Sequence, residues 1–157
     1  VKDGKLVYDS IGVGAQVGST LKAAGHFDRH FKFNAGAEVL NPNKEYAHKV
    51  KNKDKFENLK AQAWQDVADR FRKTYNFVVK GEEYPIEEMI SISGEIALLH
   101  KLKLELSTPR KRYSKRGFDM IETKDELAKR GISSPNLADS FIMGACASFM
   151  RKKSTFG

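Results

Sequence analysis

The sequence predicts an α/β domain, and three observations predict it. A short apolar strand, an amphipathic stretch and a second, alternating strand follow one another within residues 6–33, the order of a parallel strand–helix–strand unit. Apolar residues at helical spacing run through residues 54–79. A hairpin pattern at 107–123 is followed by a short capped helix and a nearly all-apolar one. At 157 residues this is one domain, long enough to bury a core. No apolar run approaches the roughly 20 residues that a membrane span requires.

Each element has its own signal. Leu6-Val7-Tyr8 is the first strand and delivers one carboxylate, Asp9, at its C-terminal end, where ligands collect in open α/β sheets. Gly12 and Gly14 space a turn. A helix is expected from Gly12 to Ala24, with Val13, Val17, Leu21 and Ala24 on one face and Gly25 closing it. His30 to Asn34 alternates as the second strand. Residues 34–54 read as a loop, long for a connection without structure, with Tyr46 and His48 among its lysines.

The helix at 54–79 carries Phe56, Leu59, Ala63, Trp64, Val67, Ala68, Phe71, Tyr75 and Val78 as a stripe of core type, with Lys60 and Asp66 on other faces. Lys80-Gly81 breaks it. Glu95–Leu106 reads as a helix with Ile96, Leu99, Leu102 and Leu106 in register and with Glu95 and Glu105 in solvent. The hairpin has arms at Thr108–Tyr113 and Phe118–Glu122 around a Ser114–Gly117 turn. Thr123 caps a helix at Lys124–Arg130 by accepting near Glu126, and Gly131 ends it. Ser134 as N-cap and Pro135 at the first position start the last helix, whose Leu137, Ala138, Phe141, Ile142, Ala145 and Phe149 predict burial. The tail, Arg151–Gly157, is basic.

The chemistry begins with charge. A formal net charge of +8 favours a polyanionic partner, most simply nucleic acid, against a basic surface that only confers solubility. Arg110, Lys111, Arg112, Lys115 and Arg116 surround Tyr113 in the hairpin, a pattern that can hold a phosphate backbone. The single cysteine, Cys146, excludes an internal disulfide and reads as a small core residue. Asp139 interrupts the apolar helix, and a carboxylate there is costly unless it is paired, metal-bound or turned to solvent. Asp9 and Asp139 can converge at one sheet edge. Carboxylates so placed bind Mg²⁺ or Mn²⁺, and two ions ~4 Å apart promote phosphodiester cleavage. His26, His30, His48 and His100 are scattered and support no zinc site. Gly12, Gly14 and Gly18 are spaced GxGxxxG, which departs from the dinucleotide-binding GxGxxG turn.

LVYDSIGVGAQVG, then KAQAW followed by RF, then FDMIETKDELAKRGISSPNLADSFIMG resemble, in this order, the C-terminal nuclease domain of tailed-phage large terminase subunits of the headful-packaging type. The resemblance implies a ribonuclease H-like fold, a mixed sheet flanked by helices, here lacking its first strands. Residues 1–150 would form the N-terminally incomplete nuclease domain, and residues 151–157 the tail. It implies an endonuclease that uses two ions of Mg²⁺ or Mn²⁺ to cut concatemeric viral DNA during packaging. Asp9 matches the second of the family's three metal-holding acids and Asp139 the third. The first is expected upstream, since Asp3 precedes the strand in a turn and the chain opens, without Met, almost on that strand. The implied partners are double-stranded DNA, the portal, the small terminase subunit and the terminase ATPase domain, with no membrane. The implied place is the procapsid portal in the host cytoplasm. A non-catalytic DNA- or portal-docking module is the alternative reading, and a nucleotide-binding α/β domain the third.

Overall fold

A computed structural model describes residues 6–10, 16–25 and 30–150, the side chains of 148–150 excepted. Asp3, the turn at Gly12, Val13 and Gly14, His26, the Phe149 side chain and the tail lie outside the described residues. Leu6–Asp9 (β1) and His30–Phe33 (β2) pair in parallel, Leu6 opposite His30 and Asp9 opposite Phe33. A parallel pair needs a crossover, and Val17–Ala23 (α1) is the described part of it. Gly18 lies where this helix meets the strand. A Cβ there would stand 2.3 Å from the Tyr8 hydroxyl oxygen, so a larger residue must displace the ring. This packing accounts for Gly18 without any nucleotide. Gly25 follows at φ +79°, the left-handed close that its position predicts.

The stretch after β2 is not a bare loop. Glu45–Ala47 (β3) and Val50–Lys51 (β4) form a small antiparallel hairpin, and Asn52–Lys55 (α2) adds a helical turn. Side chains from within it and from the long helix that follows satisfy part of its polar backbone. Buried Asn52 donates to the Leu40 and Asn41 carbonyls, while Gln62 donates to the Leu40 carbonyl and accepts from its N–H.

The helix expected over 54–79 divides. Its long part is Leu59–Tyr75 (α3), started by Asn58, whose Oδ1 accepts from the Ala61 N–H at 3.0 Å. Leu59, Ala63, Trp64 and Val67 are buried as the spacing predicts, and Ala61 joins them. Phe71, stacked on Phe141 at 6.3 Å between ring centres, is the last α3 residue packed on the core. Ala68 is exposed, and Tyr75 and Val78 stand 57% and 72% exposed. Asn76–Lys80 winds as a π-helical turn, which breaks the 3.6-residue register.

Leu99–Ser107 (α4) begins later than Glu95, because Ile96 and Leu98 are exposed and only Leu102 is buried. Lys111–Tyr113 (β5) and Asp119–Ile121 (β6) make the expected hairpin. Thr123 opens Lys124–Lys129 (α5) with both halves of a capping box, and Gly131 follows at φ +71°. Asn136–Met150 (α6) is not buried all round. Ala138, Ile142 and Cys146 form its buried face, while Asn136, Ser140 and Gly144 are exposed.

The resemblance implies one mixed sheet. The described strands instead form three two-stranded sheets and no closed barrel, with a single bridge joining Phe56 to Asp119. Two helices link the elements: α6 packs against α3, α4 and β1, and α3 packs against β6. The core is Phe33, Leu59, Ala63, Trp64, Val67, Ala138, Ile142 and Cys146. Among the described residues no helix is long and apolar enough to cross a membrane.

Burial, and secondarily the Asp66 charge, push the Cys146 thiol from its ordinary 9.0 up to about 12. A thiol reagent at pH 8 should therefore leave the native protein unmodified and label it once denatured. The unfolded thiol ionises first, so this group's share of stability is full below about pH 9 and is lost as pH rises toward 12. Rapid labelling of the native protein would contradict this placement.

Candidate metal and phosphate site

Four elements converge on one small cavity. β1 ends in Asp9, and the ladder runs one step further through Ser10 N–H to the Phe33 carbonyl at 2.9 Å. The first turn of α3 is docked on the chain just after β2: Leu59 N–H donates to the Ala37 carbonyl at 2.8 Å and Lys60 N–H to the Ala35 carbonyl at 3.0 Å. That brings Lys60 over the end of β2. The capping box at Thr123 places Lys124 as the first residue of α5. α6 places Asp139 in its first turn, where the helix dipole favours an anion.

The first turn of α6 is held in a way the sequence does not suggest. Glu105, expected in solvent, turns inward from α4, and its Oε2 accepts from the Leu137 N–H at 2.8 Å and the Ala138 N–H at 3.0 Å. Two orphan amides next to Asp139 are thus met by a charged acceptor, a stronger bond than a neutral cap makes. Ser134, expected to be that cap, instead donates its hydroxyl proton to Asn136 Oδ1.

Asp9, Phe33, Lys60, Trp64, Lys124 and Asp139 line a cavity of about 220 Å³. Asp139 is 20% exposed there, with Lys60 Nζ 3.6 Å from Oδ1 and Lys124 Nζ 3.7 Å from Oδ2. Of the options open to a carboxylate in this helix, pairing is therefore realised. Both contacts are longer than a hydrogen bond, so the lysines balance the charge without occupying the oxygens' lone pairs. Trp64 is core, as its stripe predicts, and is also a wall of the cavity. Neither lysine is singled out by sequence. The only signal is Lys60 one helical turn before Trp64 in KAQAW, and Lys124 beside the Thr123 cap.

A larger cleft of about 660 Å³ lies between the β3–β4 hairpin and α3. Three of the acids lining it are engaged: Asp66 with Arg70, Asp69 with Arg72, Gln65 and the Tyr46 hydroxyl, and Glu88 with Lys73.

No residue of the basic hairpin lines the small cavity. Lys111 Nζ is 2.6 Å from the buried Asp119 carboxylate, which also takes Lys55 at 2.9 Å. That carboxylate raises the Lys111 pKa. Arg116 pairs with Glu57 at 2.9 Å, and Arg112 reaches Glu126 of α5 at 3.6 Å. Among the described residues Arg110 and Lys115 form no ion pair.

The donor set is hard oxygen only, which suits Mg²⁺ or Mn²⁺ and not zinc. Among the described residues no group of three His, Cys, Asp or Glu side chains is placed to hold a metal. Two carboxylates lining one cavity match the donor number that a hard ion takes from a protein, because Mg²⁺ is commonly held by one or two of them with water and substrate oxygens completing the shell.

No protein-family model matches the sequence, and no curated protein matches it. Solved structures do. The nuclease domain of the large terminase subunit gp2 of bacterial virus Sf6 superposes at a TM-score of 0.80 with 30% identity, over 88% of this chain. The chain is built like a terminase nuclease domain. A lysine-to-alanine variant of the same Sf6 domain, solved with manganese and beta-thujaplicinol, matches at 0.80 with 29% identity, and the variant with calcium at 0.79. The chain spans 63% of the length of each of these terminase domains.

Proposed function

We propose that this chain is the nuclease part of a large terminase subunit, a divalent-metal-dependent endonuclease that cuts viral DNA during genome packaging. The observation that carries the reading is that Asp9 and Asp139, from opposite ends of the chain, line one cavity in a chain with a terminase nuclease fold. Asp9 and Asp139 would hold Mg²⁺ or Mn²⁺, and an acid outside the described residues would complete a two-ion site. When bound, such ions supply an activated water and stabilise the leaving oxygen. Upstream strands would complete the mixed sheet.

The chain's own residues have definable tasks. Lys60 and Lys124 keep the cavity from becoming a purely anionic hole that would repel a phosphodiester. Arg110, Lys111, Arg112, Lys115 and Arg116 would grip the DNA backbone, which positions the duplex and carries no sequence information. Arg112, through Glu126, ties that grip to the helix that begins with Lys124. The portal, the small subunit and the ATPase domain would be the assembly partners, at the procapsid in the host cytoplasm.

One observation favours the alternative, a non-catalytic DNA- or portal-docking module: no three metal-ligating side chains converge among the described residues. Nicking of supercoiled plasmid separates the two. Mn²⁺-dependent nicking that a chelator abolishes is the expected result. Nicking only by a polypeptide extended upstream would locate the remaining acid there. With no nicking by either, the enzyme reading gives way to the docking module.

A further inference from the structure

We propose that Lys60 is a phosphate-holding residue of this site, an ammonium that rests on Asp139 in the metal-free protein and passes to a non-bridging phosphate oxygen of the DNA backbone when a divalent ion enters. The proposal rests on the nuclease reading above and gives Lys60 a role that reading does not require.

Lys60 is set up unlike an ordinary surface lysine. Its side chain is only 20% exposed, against 57% for Lys124 on the other side of the same carboxylate. Its main chain is fixed by the Ala35 bond, by the Leu59–Ala37 bond before it and by the Asn58 cap. Trp64, one turn further along α3, shares the cavity wall with it. The Lys60 ammonium therefore has the cavity as its field of movement, on a flexible four-carbon stem.

At 3.6 Å from Oδ1 it makes a charge contact and not a hydrogen bond, so leaving costs little. A divalent ion on that oxygen would repel the ammonium, since like charges a few ångströms apart in a partly buried site are strongly unfavourable. The nearest new anion is then the phosphate that the ion itself recruits. Lysine suits this task because it binds phosphate as a point charge without a fixed approach. Were Lys60 only a structural counter-ion of Asp139, removing it would weaken metal-independent packing and leave DNA contacts unchanged.

The test is Lys60→Met, which keeps the stem and removes the charge, with Lys60→Arg as the rescue. Trp64 is the chain's single tryptophan and lines the cavity, so its fluorescence follows Mn²⁺ binding without DNA. Loss of the competing ammonium should tighten Mn²⁺ binding by about 2- to 5-fold. DNA binding, measured in Ca²⁺ to prevent cutting, should weaken, and its log–log salt slope should fall by about 0.9, one phosphate contact. Lys60→Arg should restore the slope. Unchanged Mn²⁺ affinity with an unchanged slope overturns the proposal while leaving the nuclease reading intact. Failure to bind Mn²⁺ both by the unmodified chain and by a polypeptide extended upstream overturns both.

Discussion

Asp139→Asn should lower metal-dependent DNA cleavage by at least about 100-fold while the protein stays folded. The comparison is with outer partners of metal ligands, whose loss alone typically costs about 10- to 100-fold. In the proposed site it is a metal ligand itself that loses its charge. The amide is the same size as the carboxylate, so the first turn of α6 keeps its packing, and the Glu105 bonds to Leu137 and Ala138 do not involve the changed side chain. The variant gives up two long, partly exposed charge contacts, to Lys60 and Lys124. Each such pair contributes about 0–1 kcal/mol, so melting should shift by only a few degrees. Plasmid nicking in Mn²⁺ alongside a thermal melt checks both halves. A folded Asp139→Asn protein that nicks as fast as the parent would remove Asp139 from the site.

Ile142→Ala should destabilise the protein by about 2–5 kcal/mol, the usual cost of truncating a packed isoleucine and leaving its cavity behind. Ile142 is 2% exposed and sits on the buried face of α6 between Ala138 and Cys146, against the core residues of α3. Neither alanine nor cysteine can expand to fill the void, so relaxation should be small. For a domain of this size the melting temperature should drop by roughly 4–20 °C. Val78→Ala is the control. Its position belongs to the same helical stripe in sequence as Val67, yet it is 72% exposed and should change stability by less than about 0.5 kcal/mol. Equal losses from the two variants would mean that Val78 is covered in the folded protein.

That contrast shows where local pattern stops being informative. Periodicity in α3 correctly places Leu59, Ala63, Trp64 and Val67 inside, because the turns of α3 packed against α6 bury whatever faces it. It fails at Tyr75 and Val78, because spacing records which residues share a face and not how far the partner extends. Caps obey the same division. Thr123 and Glu126 meet within one turn, so their reciprocal bonds follow from three-residue spacing. The cap on α6 comes from Glu105, some thirty residues away on another helix, and no local rule points to it. Ser134, which obeys the local rule, bonds elsewhere.

The candidate site divides in the same manner. Asp9 at a strand end and Asp139 in an apolar helix are both legible, since a carboxylate in either setting needs a chemical reason. Lys60 and Lys124 are not. A lysine near a helix start is ordinary until the fold brings an acid to it.

By itself the sequence determined the parallel strand–helix–strand unit, the basic hairpin, the last three helices and the buried thiol, and it singled out the two acids as candidates. Each follows from side-chain period, turn chemistry or the cost of burying charge, all of which act over a few residues. Only the tertiary structure decided that the two acids share one cavity, that two lysines flank Asp139, that Glu105 holds its helix, and that residues 34–55 form a hairpin and a helical turn. Those outcomes depend on which surfaces meet across long loops, and no short window of sequence contains both partners.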